Sequence, residues 1–211
     1  GMIALNDSFP DYSGTLDVIR AGALTEVLSA AENMAVTHPC GSYRYDVPIP
    51  NAPRILCVGV NFPNRNEEYK DGQELPPYPS LFPRFVSGFT GHGQPLVRPP
   101  ESEKLDYEGE IAIVIGQGGR RIAREDAWNH IAAMTLCNEG TIRDWVRHAK
   151  FNVTQGKNWD RSAALGPYLV PFKDKSQLQD VRLTTHVNGE LRQDDRTGRM
   201  IFPIDFQIHY I

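Results

Sequence analysis

Eight of the chain's 16 prolines fall between residues 62 and 100, together with four glycines. A proline lacks the amide donor and crowds the preceding turn, so no long helix can cross this segment. It has to run as loops and short extended pieces laid over a core built elsewhere. A second cluster, Val47-Pro48-Ile49-Pro50-Asn51-Ala52-Pro53, separates a small N-terminal segment, residues 1–53, from a main unit of residues 54–211.

Outside those punctuated stretches the pattern is mostly that of strands. Residues 15–31 place Leu16, Ile19, Leu24, Val27 and Leu28 at near-helical spacing, although Gly22 within them disfavours one uninterrupted helix. Arg54 to Val60 is the short apolar run of a buried strand, and Tyr107 to Gly116 is rich in β-branched residues. Residues 124–134 put Ala127, Ile131 and Met134 on one face, which predicts an amphipathic helix. Leu165 to Val170 and Arg182 to Val187 predict further strands, with a hairpin turn at Asn188-Gly189. The sum is an α+β chain, mostly β.

Composition narrows the function classes. With 211 residues, 40% of them hydrophobic, the chain can bury a core. Its 22 basic and 26 acidic side chains leave a formal charge of −4 and no basic footprint for nucleic acid or an anionic membrane. Apolar runs such as Ile111 to Ile115 fall far short of the roughly 20 residues that a membrane span needs. Cys40, Cys57 and Cys137 form no Cys-x-x-Cys pair, and no secretory leader is visible, so a reducing, cytoplasmic setting is expected.

Chemistry concentrates at Glu108-Gly109-Glu110. Residues i and i+2 of a strand point to one face, so both carboxylates stand beside Ala112 and Val114. Burying two like charges side by side is costly unless a cation lies between them, and oxygen ligands suit Mg²⁺, Mn²⁺ or Ca²⁺. Taken alone, the same pair reads equally well as solvated surface charge. Glu139 ends the apolar stretch Ala132 to Asn138 and offers a third carboxylate. Lys157, in Gln155-Gly156-Lys157-Asn158-Trp159-Asp160, offers a cation that can hold a substrate carboxylate or enolate oxygen.

These motifs occur in an order that resembles the fumarylacetoacetate hydrolase (FAH) family. They are Arg54 to Phe62, the Tyr-Glu-Gly-Glu strand, Asn138-Glu139 with Arg143-Asp144, Gly156 to Asp160, Leu165-Gly166-Pro167-Tyr168 and Val187-Asn188-Gly189-Glu190. Gln193, Thr197 and Met200 continue the series. The resemblance implies a mixed β-sandwich roll of the FAH catalytic-domain type, a homodimer, and a site for Mg²⁺, Mn²⁺ or Ca²⁺ held by Glu108, Glu110 and Glu139. The family usually has aspartate at the third position, so Glu139 is one methylene longer than the pattern. By the same match Lys157 contacts the substrate, and Arg143 orients carboxylates or the lid. The implied substrates are small 2-oxo or 2,4-dioxo acids, and the implied reactions are C–C hydrolysis, decarboxylation or double-bond isomerisation.

Two departures bear on the reaction. Hydrolytic members carry a His-x-x-Glu dyad that activates water, whereas this chain has Arg65 at the histidine and Glu68 at the glutamate. Arginine stays protonated and cannot be a general base, so Arg65 is expected to bind a second substrate carboxylate and Glu68 to act as the base. His92 and His148 are further candidates, each weighed against an ordinary surface role. The chain also stops at Phe206 to Ile211, before the closing strands and the Thr-Gly-Thr-Pro-type loop of the family, so an open sheet edge is expected. Hydrolysis of an acylpyruvate-type acid is the first expectation. Isomerisation or decarboxylation of a 2-hydroxymuconate-type diacid from aromatic catabolism follows closely, and an organic-acid binder without turnover is the third.

Overall fold

The computed structural model describes residues 1–64, 74–149 and 152–211, so Arg65 and Glu68 lie outside the described residues. The fold is mixed and mostly sheet. Its centre is the antiparallel pair β5 (Gly109–Ile115) and β6 (Ile131–Asn138), in register from Gly109 opposite Asn138 to Ile115 opposite Ile131. Beyond β6, β8 (Ala163–Leu165) and β9 (Val170–Pro171) pair antiparallel with it, and β3 (Phe89–Thr90) adds in parallel to β8. Smaller antiparallel pairs flank this sheet. They are β1 (Ile55–Gly59) with β2 (Ser80–Arg84), β4 (Leu105–Asp106) with β7 (Thr141–Ile142), and β10 (Arg182–Val187) with β11 (Glu190–Arg196).

Two apolar clusters hold the sheet. Because opposed residues of an antiparallel pair share a face, Ile111 and Ile113 of β5 stand with Leu136 and Met134 of β6. Ile111, Ile113 and Met134 pack against buried Ile131, Leu178 and Ile204. Leu178 comes from the short helix α4 (Ser176–Gln179), and Ile204 opens α5 (Ile204–Tyr210). The second cluster joins Val47, Phe89 and Ala163 with Ile55, Cys137 and Leu165, so the start of the proline link packs onto the sheet. Cys137 lies opposite Glu110 in the register, which places this cluster on the carboxylate side.

Three expectations about local structure change. The helix over 15–31 is two, α1 (Thr15–Arg20) and α2 (Leu24–Ala31), divided at Gly22 with φ 67°. Residues 124–134 are not one helix: a 3-10 turn covers Arg124–His130, and Ile131 already begins β6. Pairing of β6 along both edges overrides the helical spacing of Ile131 and Met134. The strand over Leu165 to Val170 is broken by Gly166, φ 107°, and Pro167, so β8 ends at Leu165 and β9 begins at Val170. The Asn188-Gly189 turn joins β10 to β11 with both residues left-handed, at φ 52° and 84°. Among the described residues no helix is long and apolar enough to cross a membrane.

Candidate active site

Glu108 precedes β5, and the β5–β6 ladder continues past it, the Glu139 amide donating to the Glu108 carbonyl at 2.7 Å. The Asn138 side chain accepts from the Glu108 amide at 3.1 Å. Backbone pairing therefore brings together acids that lie far apart in sequence. Glu108, Glu110 and Glu139 each present a carboxylate oxygen within 4.8 Å of the others. Glu139 is buried, and the other two are half-buried.

Gly109 sits between the two strand glutamates because the hairpin lies on it. Its amide donates to Gln193 Oε1 at 2.7 Å, and a Cβ there would overlap the Thr185 hydroxyl. Thr185 is on β10 and Gln193 on β11, and the two face each other in the register. The hairpin thus clamps the backbone that carries both carboxylates.

Cations surround the acids. Lys157 ends α3 (Val153–Lys157) and is 5% exposed; its ammonium lies 2.5 Å from Glu108 Oε2 and 3.2 Å from Glu139 Oε1. Phe82 covers it, the ring centroid 5.3 Å from Nζ. Arg143, half-exposed at the edge of the cluster, bridges Asp106 and Glu108, each at 2.8 Å. Thr141 donates to Glu108 Oε1 at 2.8 Å. Asp144 plays a local part: the Ser102 hydroxyl, at 2.7 Å, holds its carboxyl below the usual range, and it caps the 3-10 turn Trp145–Arg147.

The structure thus brings five of the sequence-derived candidates, Glu108, Glu110, Glu139, Arg143 and Lys157, into one cluster. His148 instead rests on Trp145 and His92 on Tyr45, with centroids 4.3 and 5.4 Å apart, and both histidines are exposed. Sequence reasoning missed Arg84, which is 2% exposed and donates to Glu139 Oε1 at 3.4 Å. The alternation of Phe82, Pro83 and Arg84 along β2 was the available signal, since residues two apart share a face.

The donor set fits a hard divalent cation. Oxygens sharing one ion with bonds of about 2.1 to 2.6 Å can be at most about 4.2 to 5.2 Å apart, and these three carboxylates lie within that range. Burial pushes the Cys57 and Cys137 thiols above their ordinary range, and the Glu139 charge adds to the shift. Among the described residues, the grouped side chains able to ligate a metal are all carboxylates, which favours Mg²⁺, Mn²⁺ or Ca²⁺ over softer ions.

Comparison with known proteins agrees with this chemistry. A family profile described as fumarylacetoacetate (FAA) hydrolase C-terminal matches residues 54–211. The oxaloacetate tautomerase YisK of Bacillus subtilis (strain 168) is 37% identical over 175 residues, covering 78% of this chain and 57% of that protein. The human mitochondrial oxaloacetate tautomerase FAHD2A is 30% identical over 217 residues, covering 100% of this chain and 68% of the relative. The chain therefore spans a little over half to two thirds of these relatives' lengths. Among solved structures, a probable 2-hydroxyhepta-2,4-diene-1,7-dioate isomerase from Mycobacterium abscessus superposes with a TM-score of 0.76 at 26% identity, over 92% of this chain and 68% of that one. A fumarylacetoacetate hydrolase from psychrophilic Exiguobacterium antarcticum does so with a TM-score of 0.76 at 27% identity, over 98% and 72%. The profile match runs through all eleven strands of the described residues and all three clustered carboxylates, and the chain belongs to the fumarylacetoacetate hydrolase family.

Proposed function

We propose that this chain is a divalent-metal-dependent tautomerase or isomerase of small 2-oxo dicarboxylic acids, moving a proton at the carbon beside the oxo group. The observation that carries the reading is the carboxylate trio, buried at Glu139 and half-buried at Glu108 and Glu110, with the Lys157 ammonium set between Glu108 and Glu139. Relatives named as oxaloacetate tautomerases and a structural neighbour named as a dioate isomerase support it. So does Arg65, which by the family resemblance stands where hydrolytic members carry the histidine of a water-activating dyad.

Glu108, Glu110 and Glu139 would hold the cation, which supplies Lewis-acid stabilisation of charge building on the oxo oxygen. Lys157 adds a fixed positive charge beside that oxygen, and its burial under Phe82 keeps water from weakening the interaction. Arg143 stands at the half-exposed edge, where it orients an incoming carboxylate. Arg65 is assigned to the second carboxylate and Glu68 to the proton at carbon, both from sequence. A likeness to a fumarylacetoacetate hydrolase keeps C–C hydrolysis as the second reading.

The test follows the ultraviolet absorbance of enol-oxaloacetate with Mg²⁺ or Mn²⁺, with and without EDTA, alongside product analysis on acetylpyruvate. The reading expects EDTA-sensitive conversion of enol to keto form without release of CO₂. Lys157→Met should lower kcat/KM by about 10² to 10³, the cost of one well-placed donor. Cleavage of acetylpyruvate to two acids, with the enol left at its spontaneous rate, would transfer the assignment to hydrolysis.

A further inference from the structure

We propose that Arg84 decides which divalent cation the carboxylate site accepts, by engaging one oxygen of Glu139. The inference rests on the metal-dependent reading above and concerns a residue that reading does not use.

Arg84 reaches the site from β2, where Phe82 and Arg84 turn inward on either side of Pro83. Its guanidinium has no exposed surface. The carbon Cζ lies 4.7 Å from the centroid of the Phe89 ring, and Nη1 donates to the Gly140 carbonyl at 3.1 Å and to Glu139 Oε1 at 3.4 Å. Among the described residues, Nε and Nη2 are buried with no hydrogen-bond partner. A buried arginine costs free energy unless its donors are satisfied, and an apolar side chain of similar volume would fill this space at lower cost. Packing therefore does not account for the residue, whereas its charge behind Glu139 does.

On Glu139, Arg84 and Lys157 both engage Oε1, at 3.4 and 3.2 Å. Glu108 is held at both oxygens, by Thr141 and Arg143 at Oε1 and by Lys157 at Oε2. Two of the three acids thus cannot give both oxygens to one ion without breaking an ion pair. Ca²⁺ takes six to eight oxygens and readily accepts both from a carboxylate, whereas Mg²⁺ holds six at short, near-octahedral distances. Tying Oε1 of Glu139 therefore favours the smaller ions. Because Arg84 acts through Glu139, it is a positioning residue.

Titration calorimetry with Mn²⁺ and with Ca²⁺ on the parent protein, Arg84→Met and Arg84→Lys tests this. The parent should bind Mn²⁺ at least about tenfold more tightly than Ca²⁺, and Arg84→Met should lose about 10- to 100-fold in Mn²⁺ affinity while Ca²⁺ holds or tightens. Arg84→Lys should fall between. The ratio is the decisive readout, because a merely loosened fold weakens both ions alike. A folded variant with the parent's ratio overturns the proposal. If Arg84→Met does not fold, Arg84→Lys keeps the buried charge and is read in its place. A parent that prefers Ca²⁺ overturns the proposal without any variant. A parent that binds neither ion overturns the metal-dependent reading, and so separates that failure from a failure of selectivity.

Discussion

Gly109 shows how narrowly the site is specified at the scale of a residue. A side chain here would meet Thr185 and Gln193 of the hairpin, both of which come from more than seventy residues downstream. Gly109→Ala should destabilise the protein by about 1 to 3 kcal/mol, as overpacking does. Urea unfolding would show it as a lower midpoint, and a midpoint equal to the parent's would mean the hairpin does not press on this strand. Legibility in the sequence follows chemistry at this scale. Glu108 and Glu110 stood out as two carboxylates on one strand face, a pair that alone reads equally well as solvated charge, and the family resemblance joined Glu139 and Lys157 to them. Arg84 did not, since a lone arginine in a proline-rich stretch reads as solvated until Phe89 and Glu139 are seen around it. Arg65 and Glu68 rest on sequence alone.

Elements were readable where local signals and pairing agree. Asn188-Gly189 demands a left-handed turn and makes one, so the hairpin β10–β11 follows from two residues. Gly189→Val should cost about 1 to 3 kcal/mol, because a β-branched residue resists positive φ. The check is thermal or denaturant unfolding, and an unchanged midpoint would mean that the turn can adopt another type. β6 was misread for the opposite reason. Its first four residues carry helical spacing, but two neighbouring strands and β9 supply its backbone partners, and no window of sequence contains them. The break at Gly166-Pro167 was present in the sequence, and its effect on the strand before it was underweighted.

At the scale of the whole molecule, a cation held by the three carboxylates, as proposed above, would stabilise the native state only. Saturating Mn²⁺, at about one hundred times its Kd, should add about 2.7 kcal/mol to stability and raise Tm by roughly 5 to 10 °C. Glu110→Gln should abolish most of the shift, and a variant that shifts like the parent would remove Glu110 from the ligand set. The site is also assembled from parts distant along the chain. Lys157 meets Glu108 across 49 positions, Arg84 meets Glu139 across 55, and Gln193 meets Gly109 across 84. Contacts of that separation pay loop-closure entropy before they return any stabilisation, which slows folding. A chain emerging during synthesis therefore passes Glu108 and Glu110 long before it can offer a cation a finished cage. Under the metal-dependent reading proposed above, the cation is the last partner to arrive in folding, and its capture reports that the topology has closed.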